Sequence, residues 1–153
     1  MRANRLALTL AGAAGAVAML AAPTQASAVQ AGTTTTTEIC SSTKLQAGVN
    51  TWLCAEVTGG DVQLVGKIYL AGPPSPGGPY PEPQDLLTVL DGQVVGGASL
   101  GSVNKWTRFH ASLVEVRGVG GAVTCGSTVH GSFSVTKPGW GSVPVTLDAV
   151  VPC

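Results

Sequence analysis

The chain has 153 residues, 44% of them hydrophobic and 10% charged, with eight basic against eight acidic side chains. That length holds one domain of ordinary size and little more. A formal charge of zero excludes a basic nucleic-acid footprint, and many apolar residues with few charges exclude disorder for most of the chain.

Residues 1–5 carry Arg2 and Arg5, residues 6–22 are almost wholly apolar, and Ala26-Ser27-Ala28 follows as a small-x-small cleavage signal. This is the pattern of a secretory signal peptide over residues 1–28, cut after Ala28. It predicts a secreted, extracellular protein. The apolar run is short and rich in Ala and Gly, and no later run reaches about 18 residues, so no membrane contact is expected after cleavage. Cleavage removes two positive charges and leaves six basic residues against eight acidic ones, a balance that selects no partner.

Residues 29–37 read VQAGTTTTT. They are expected to form a flexible arm. Thr33, Thr34, Thr35, Thr36 and Thr37 are β-branched and favour extended backbone, so the tract is also a candidate partner-binding arm that adds to the edge of another sheet.

From Glu38 onward the apolar period is two. Leu53, Ala55 and Val57 alternate with Trp52, Cys54 and Glu56; Val62, Leu64, Gly66, Ile68 and Leu70 share one parity. Val123, Cys125, Val129, Gly131, Phe133 and Val135 hold one parity, as do Val145, Leu147, Ala149, Val151 and Cys153. Such alternation marks half-buried strands, and no mature segment of helical length carries a helical stripe. Turns are expected at Gly59-Gly60-Asp61, Asp91-Gly92, Gly96-Gly97, Gly118-Val119-Gly120-Gly121 and Pro138-Gly139. Asp91-Gly92 reads as a hairpin turn, and a parity switch between Leu113 and Val114 reads as a β-bulge. Residues 72–84 hold six prolines and three glycines. They are expected to form a long loop within one domain, with Tyr80 as its one large side chain and a candidate partner contact. Seven to nine short strands at this spacing predict an all-β, two-sheet antiparallel sandwich over residues 38–153.

Four cysteines survive cleavage: Cys40, Cys54, Cys125 and Cys153. An even count in a small exported chain reads as disulfides, and the wide spacings do not fit a zinc site. Cys40–Cys54 and Cys125–Cys153 is the expected pairing. Gly48-Val49-Asn50 lies midway between the first two for a hairpin, and a bond at Cys153 would hold a terminus that otherwise frays.

Catalytic chemistry is hard to find. Gly97-Ala98-Ser99-Leu100-Gly101 matches the G-x-S-x-G elbow, but that device needs a strand–turn–helix bend, and a Gly- and Ser-rich chain makes the match cheaply. His130 sits at a polar parity and reads as an exposed strand residue; His110 has no ligand partner at short spacing. No paired-carboxylate site, metal site or cofactor motif is legible, so the chain is read as non-enzymatic. If Cys54 points inward, Trp52 packs beside the disulfide. Trp140, between Gly139 and Gly141, either covers one end of the sandwich or serves as a candidate partner-binding aromatic.

The layout of signal peptide, Thr tract and two-disulfide β domain resembles the adaptor subunits of actinobacterial umbrella toxin particles. The resemblance implies an immunoglobulin-like sandwich and a secreted protein-binding module, an adaptor between a lectin subunit and a toxin. The chain lacks the immunoglobulin Cys…Trp…Cys pattern, and no residue role is carried over. The composition and two disulfides also resemble the enediyne-antibiotic apoproteins, which would imply a small-ligand carrier. That family's cysteine pairs are closely spaced, whereas the second pair here lies 28 residues apart. A third expectation is a secreted protease inhibitor presenting Pro79-Tyr80-Pro81, whose prolines stiffen the loop.

Overall fold

Alternating apolar and β-branched residues build nine strands, with no helix among the described residues. The structure is a computed structural model that describes residues 35–73, 76–78 and 81–153, all within the unit Thr33–Cys153. The signal-peptide segment, Thr33, Thr34 and Tyr80 lie outside the described residues.

One sheet runs in the order β1(Thr36–Cys40), β3(Val49–Thr58), β4(Asp61–Leu70), β7(Val114–Ala122). The short β2(Lys44–Gln46) continues the β1 edge along the other half of β3. The second sheet runs β6(Ser99–Phe109), β5(Gln84–Val94), β8(Thr128–Thr136), β9(Val145–Val150). Every pairing is antiparallel. The links β4→β5 and β7→β8 both cross between sheets, while β4 pairs with β7 and β5 with β8. Strands β3 to β9 therefore form an interlocked, immunoglobulin-like sandwich, and β1 with β2 adds one broken edge strand.

The predicted parities fill the space between the sheets. Leu53, Leu64, Ile68, Leu86, Leu90, Phe109 and Phe133 are fully buried there, with valines from seven strands and loops around them. Each such Leu or Phe contributes roughly 1.5–3 kcal/mol by leaving water. Glycine is required where the sheets approach most closely. A Cβ on Gly66 would collide with the Phe133 ring, and one on Gly92 would lie 2.5 Å from Leu64 Cδ1.

That packing corrects one turn. Asp91-Gly92 does not close a hairpin; both residues lie inside β5, and the chain reverses at Gly96-Gly97, where Gly97 N–H donates to the Val94 carbonyl at 2.9 Å. Gly92 is a packing glycine, and local sequence looks the same for both roles. Gly118-Val119-Gly120-Gly121 likewise lies within β7. Gly118, at φ +117°, makes the β-bulge of that strand, where Leu64 and Gly66 face Val119 and Val116. The parity switch at Leu113–Val114 is not a bulge: β6 ends at Phe109, and the chain crosses to the other sheet through residues 110–113. The Gly59-Gly60 and Pro138-Gly139 turns form as expected.

Both disulfides form in the expected pairing. Cys40 and Cys54 stand directly opposite on β1 and β3, Cα atoms 4.0 Å apart, because the chain reverses at Ala47-Gly48. Leu53 takes the core side of β3, so Cys54 and Trp52 lie on the outer face of that sheet. Cys54 is nonetheless buried there, and Trp52 half-buried. Cys125–Cys153 joins the β7–β8 loop to the chain end after β9.

Candidate functional site

The strand order brings three strand-to-strand connections to one end of the sandwich: the end of β4 and the start of β5, residues 110–113 between β6 and β7, and 137–144 between β8 and β9. The tight β2–β3 turn joins them. The opposite end carries the Gly59-Gly60 turn, the β5–β6 turn, the Cys125–Cys153 bond and the start of β1.

Large apolar side chains are exposed mainly at the loop end. Among the described residues eight are exposed, and Leu45, Tyr69, Leu113, Trp140 and Val143 belong to this end. Leu45, Asn50 and Tyr69 form one row across β2, β3 and β4, and Leu113 stands one step past the Ile68–Val114 pair. Trp140 is 56% exposed and Val143 73%.

The 137–144 loop is held in place by Gln46. Beyond the Phe133–Val145 pair β9 has ended, and β8 would present unpaired backbone groups. Gln46, buried on β2, takes the missing strand's place: Val135 N–H donates to its Oε1 at 3.0 Å, and its Nε2 donates to the Phe133 carbonyl at 3.3 Å. Nε2 also donates to Thr51 Oγ1 at 2.7 Å, and Ser142 Oγ of the loop donates to Oε1 at 2.5 Å. Lys44 Nζ donates to the Pro144 carbonyl at 3.3 Å. Trp140 ends a Pro-Gly turn, its N–H donating to the Lys137 carbonyl at 3.0 Å with Gly139 at φ +82°. Lys137 Nζ lies 4.2 Å from the Trp140 ring centroid, a cation–π contact. The indole is thus exposed on a pinned loop.

The other sequence candidates fall elsewhere. Thr35 precedes β1, and Thr36 and Thr37 stand within it, opposite Thr58 and Val57, at the end away from Trp140. Ser99 opens β6 with no helix after it. Gln93 stands between Ser99 and His130 in the register, which separates the two by about 10 Å, too far for a nucleophile–base hydrogen bond. His130 is half-buried rather than exposed, its Nδ1 2.6 Å from Asp148 Oδ1 on β9. His110 is exposed in the β6–β7 connection. Leu45, Gln46 and Val143 carried no usable signal, being single residues whose neighbours in space are distant in sequence.

Charges crowd the outer face of the first sheet. Lys67 Nζ is 2.5 Å from Glu38 and 3.9 Å from Glu115, while Arg117 grips Glu56 through two hydrogen bonds of 2.7 and 2.8 Å and also reaches Glu115. The Arg117 hydrogen bonds hold the Glu56 carboxyl below its ordinary range, against the opposing effect of burial. The same partner raises Arg117. Glu38 also lies beside Cys40 and Cys54, but bonded sulfurs offer no thiolate to a metal.

The fold defines the class: a two-disulfide, immunoglobulin-like β-sandwich with a pinned, apolar loop end. Beyond that class, no family model matches the chain, and neither a curated protein nor a solved structure matches it.

Proposed function

We propose that the protein is a secreted, non-enzymatic binding module that captures a protein partner through the loop end of its sandwich. One observation carries the reading: among the described residues, five of the eight exposed large apolar side chains gather there, and two of them sit on a loop fixed by Gln46. Exposed apolar groups gathered in one region mark interaction sites, tryptophan is favoured at binding hot spots, and a pinned loop lowers the ordering cost of association. Disulfides fit an oxidising, extracellular setting. No helix among the described residues is long and apolar enough to cross a membrane.

An adaptor role is the finer form of this reading. The Thr-rich tract enters the sheet at the end opposite Trp140, so contacts by the tract and by the loops would engage two partners at opposite poles. The test is affinity capture from the native culture supernatant with tagged wild type, Trp140→Ala/Val143→Ser, and a deletion of residues 29–34. Wild type is expected to retain a secreted protein in stoichiometric amount, and the loop variant to lose it. Capture unchanged by the loop variant, or no captured protein at all, would refute the loop-end reading. Loss of a second protein in the deletion alone would support the adaptor form.

A further inference from the structure

The β6-β5-β8-β9 sheet has an outer face that the loop-end reading does not use. Its register stacks four rows: Trp106–Leu87–Thr136, Asn104–Val89–Ser134, Ser102–Asp91–Ser132–Thr146, and Ser99–Gln93–His130–Asp148. A hollow of about 340 Å³ opens over the last two rows, lined by Asp91, Gln93, Ser99, Ser102, His130 and Ser132. Gly92 and Gly101 complete the lining, next to the register shift between β5 and β6. That volume lies at the small end of the range for ligand sites, about 300–1,000 Å³.

The lining has a particular chemistry. It offers a carboxylate, an amide, an imidazole and three hydroxyls, hence both donors and acceptors. Among the described residues, Asp91, Gln93, Ser102, Ser132 and the neighbouring Asn104 make no side-chain hydrogen bond to the protein. Asp148 engages His130 Nδ1, which fixes the ring and leaves Nε2 as its remaining polar atom. Asp91 sets a carboxylate without a basic partner in the lining, and Arg108, on the same face, is already held by Asp85 at 2.9 Å. An anionic ligand would be repelled, and an apolar one would strand these polar groups. A neutral molecule with many hydroxyls satisfies them.

Trp106 extends the site. It lies four residues along β6 from Ser102 on the same face, about 13 Å away, and is 61% exposed beside Leu87. A flat aromatic face at that distance suits the apolar face of a second sugar ring in the same chain. We infer that this sheet face binds a neutral oligosaccharide, with the polar hollow gripping the hydroxyls of one ring and Trp106 stacking on another. The inference goes beyond the protein-capture reading and does not rest on it.

Native-gel affinity electrophoresis tests it, with hydroxyethyl cellulose, laminarin, galactomannan and dextran each cast into the gel. The purified protein is expected to be retarded by at least one. Trp106→Ala and Asp91→Ala should each weaken that retardation at least tenfold, whereas Trp140→Ala should leave it unchanged. All three side chains are exposed, so unchanged melting temperatures are expected and separate loss of binding from loss of fold. Retardation by none of the four polysaccharides overturns the inference. So does retardation that survives both sheet-face substitutions, or that falls equally with Trp140→Ala.

Discussion

Single residues decide much of the stability. Gly66 faces the core beneath the Phe133 ring, and no side chain fits between them. Gly66→Ala is expected to cost about 1–3 kcal/mol by overpacking, read as a lower urea midpoint with an unchanged slope. Gln46 looks like an ordinary polar strand residue, yet it stands in for a strand that has ended. Gln46→Leu would bury the Val135 N–H without a partner and free Ser142, at a cost of about 1–3 kcal/mol. Amide exchange in residues 137–144 should accelerate in the same variant. Glu56 supplies a pH dependence with a definite sign. Its carboxyl is held below the ordinary value of 4.5 by Arg117. Its contribution is therefore complete above that value and is lost as pH falls through the lowered one. Arg117→Gln should cost less than about 1 kcal/mol at neutral pH, because the pair is partly solvated. The difference from wild type should vanish at the acid end of a pH series of urea melts.

At the scale of elements, the hairpins and disulfides were legible because their determinants are local. Ala47-Gly48 reverses the chain, and Cys40 then meets Cys54 across a short span. The Cys125–Cys153 bond closes a loop of 28 residues against 14 for the other. In the chain-entropy account its removal as a double Ala variant should cost roughly 3.5 kcal/mol, against roughly 3 for the Cys40–Cys54 pair. Equal thermal shifts for the two variants would contradict that ordering. The β5–β6 hairpin was misplaced for an equally physical reason. Asp-Gly favours a turn, but two glycines further along serve as well, and the need for a bare Cα at Gly92 comes from Leu64 and Val119 on the opposite sheet. The parity switch near Leu113 signalled a strand's end rather than its distortion, since a crossover between sheets changes which side is inward.

For the whole molecule, the same chain folds into three surfaces with different chemistry. One outer sheet face carries ion pairs among its own side chains, the other presents a polar hollow along from Trp106, and the loop end gathers exposed apolar groups. Trp106→Ala should weaken polysaccharide retardation and leave protein capture intact, Trp140→Ala should do the reverse, and loss of both readouts in either variant would indicate one shared surface. Sequence alone determined the all-β class and the inward parity of most strands, and it favoured the disulfide pairing that forms. Those follow from period-two patterning, from turn glycines and from short-range chain closure, all of which act between near neighbours. Only the tertiary structure decided which glycines turn and which pack, and that Trp140 stands exposed with Leu45 and Val143 at one end. It also placed Asp91, Gln93 and His130 around a single hollow. Each of these depends on strands brought together from separations of tens of residues, and strand order across two sheets leaves no periodic trace in the chain.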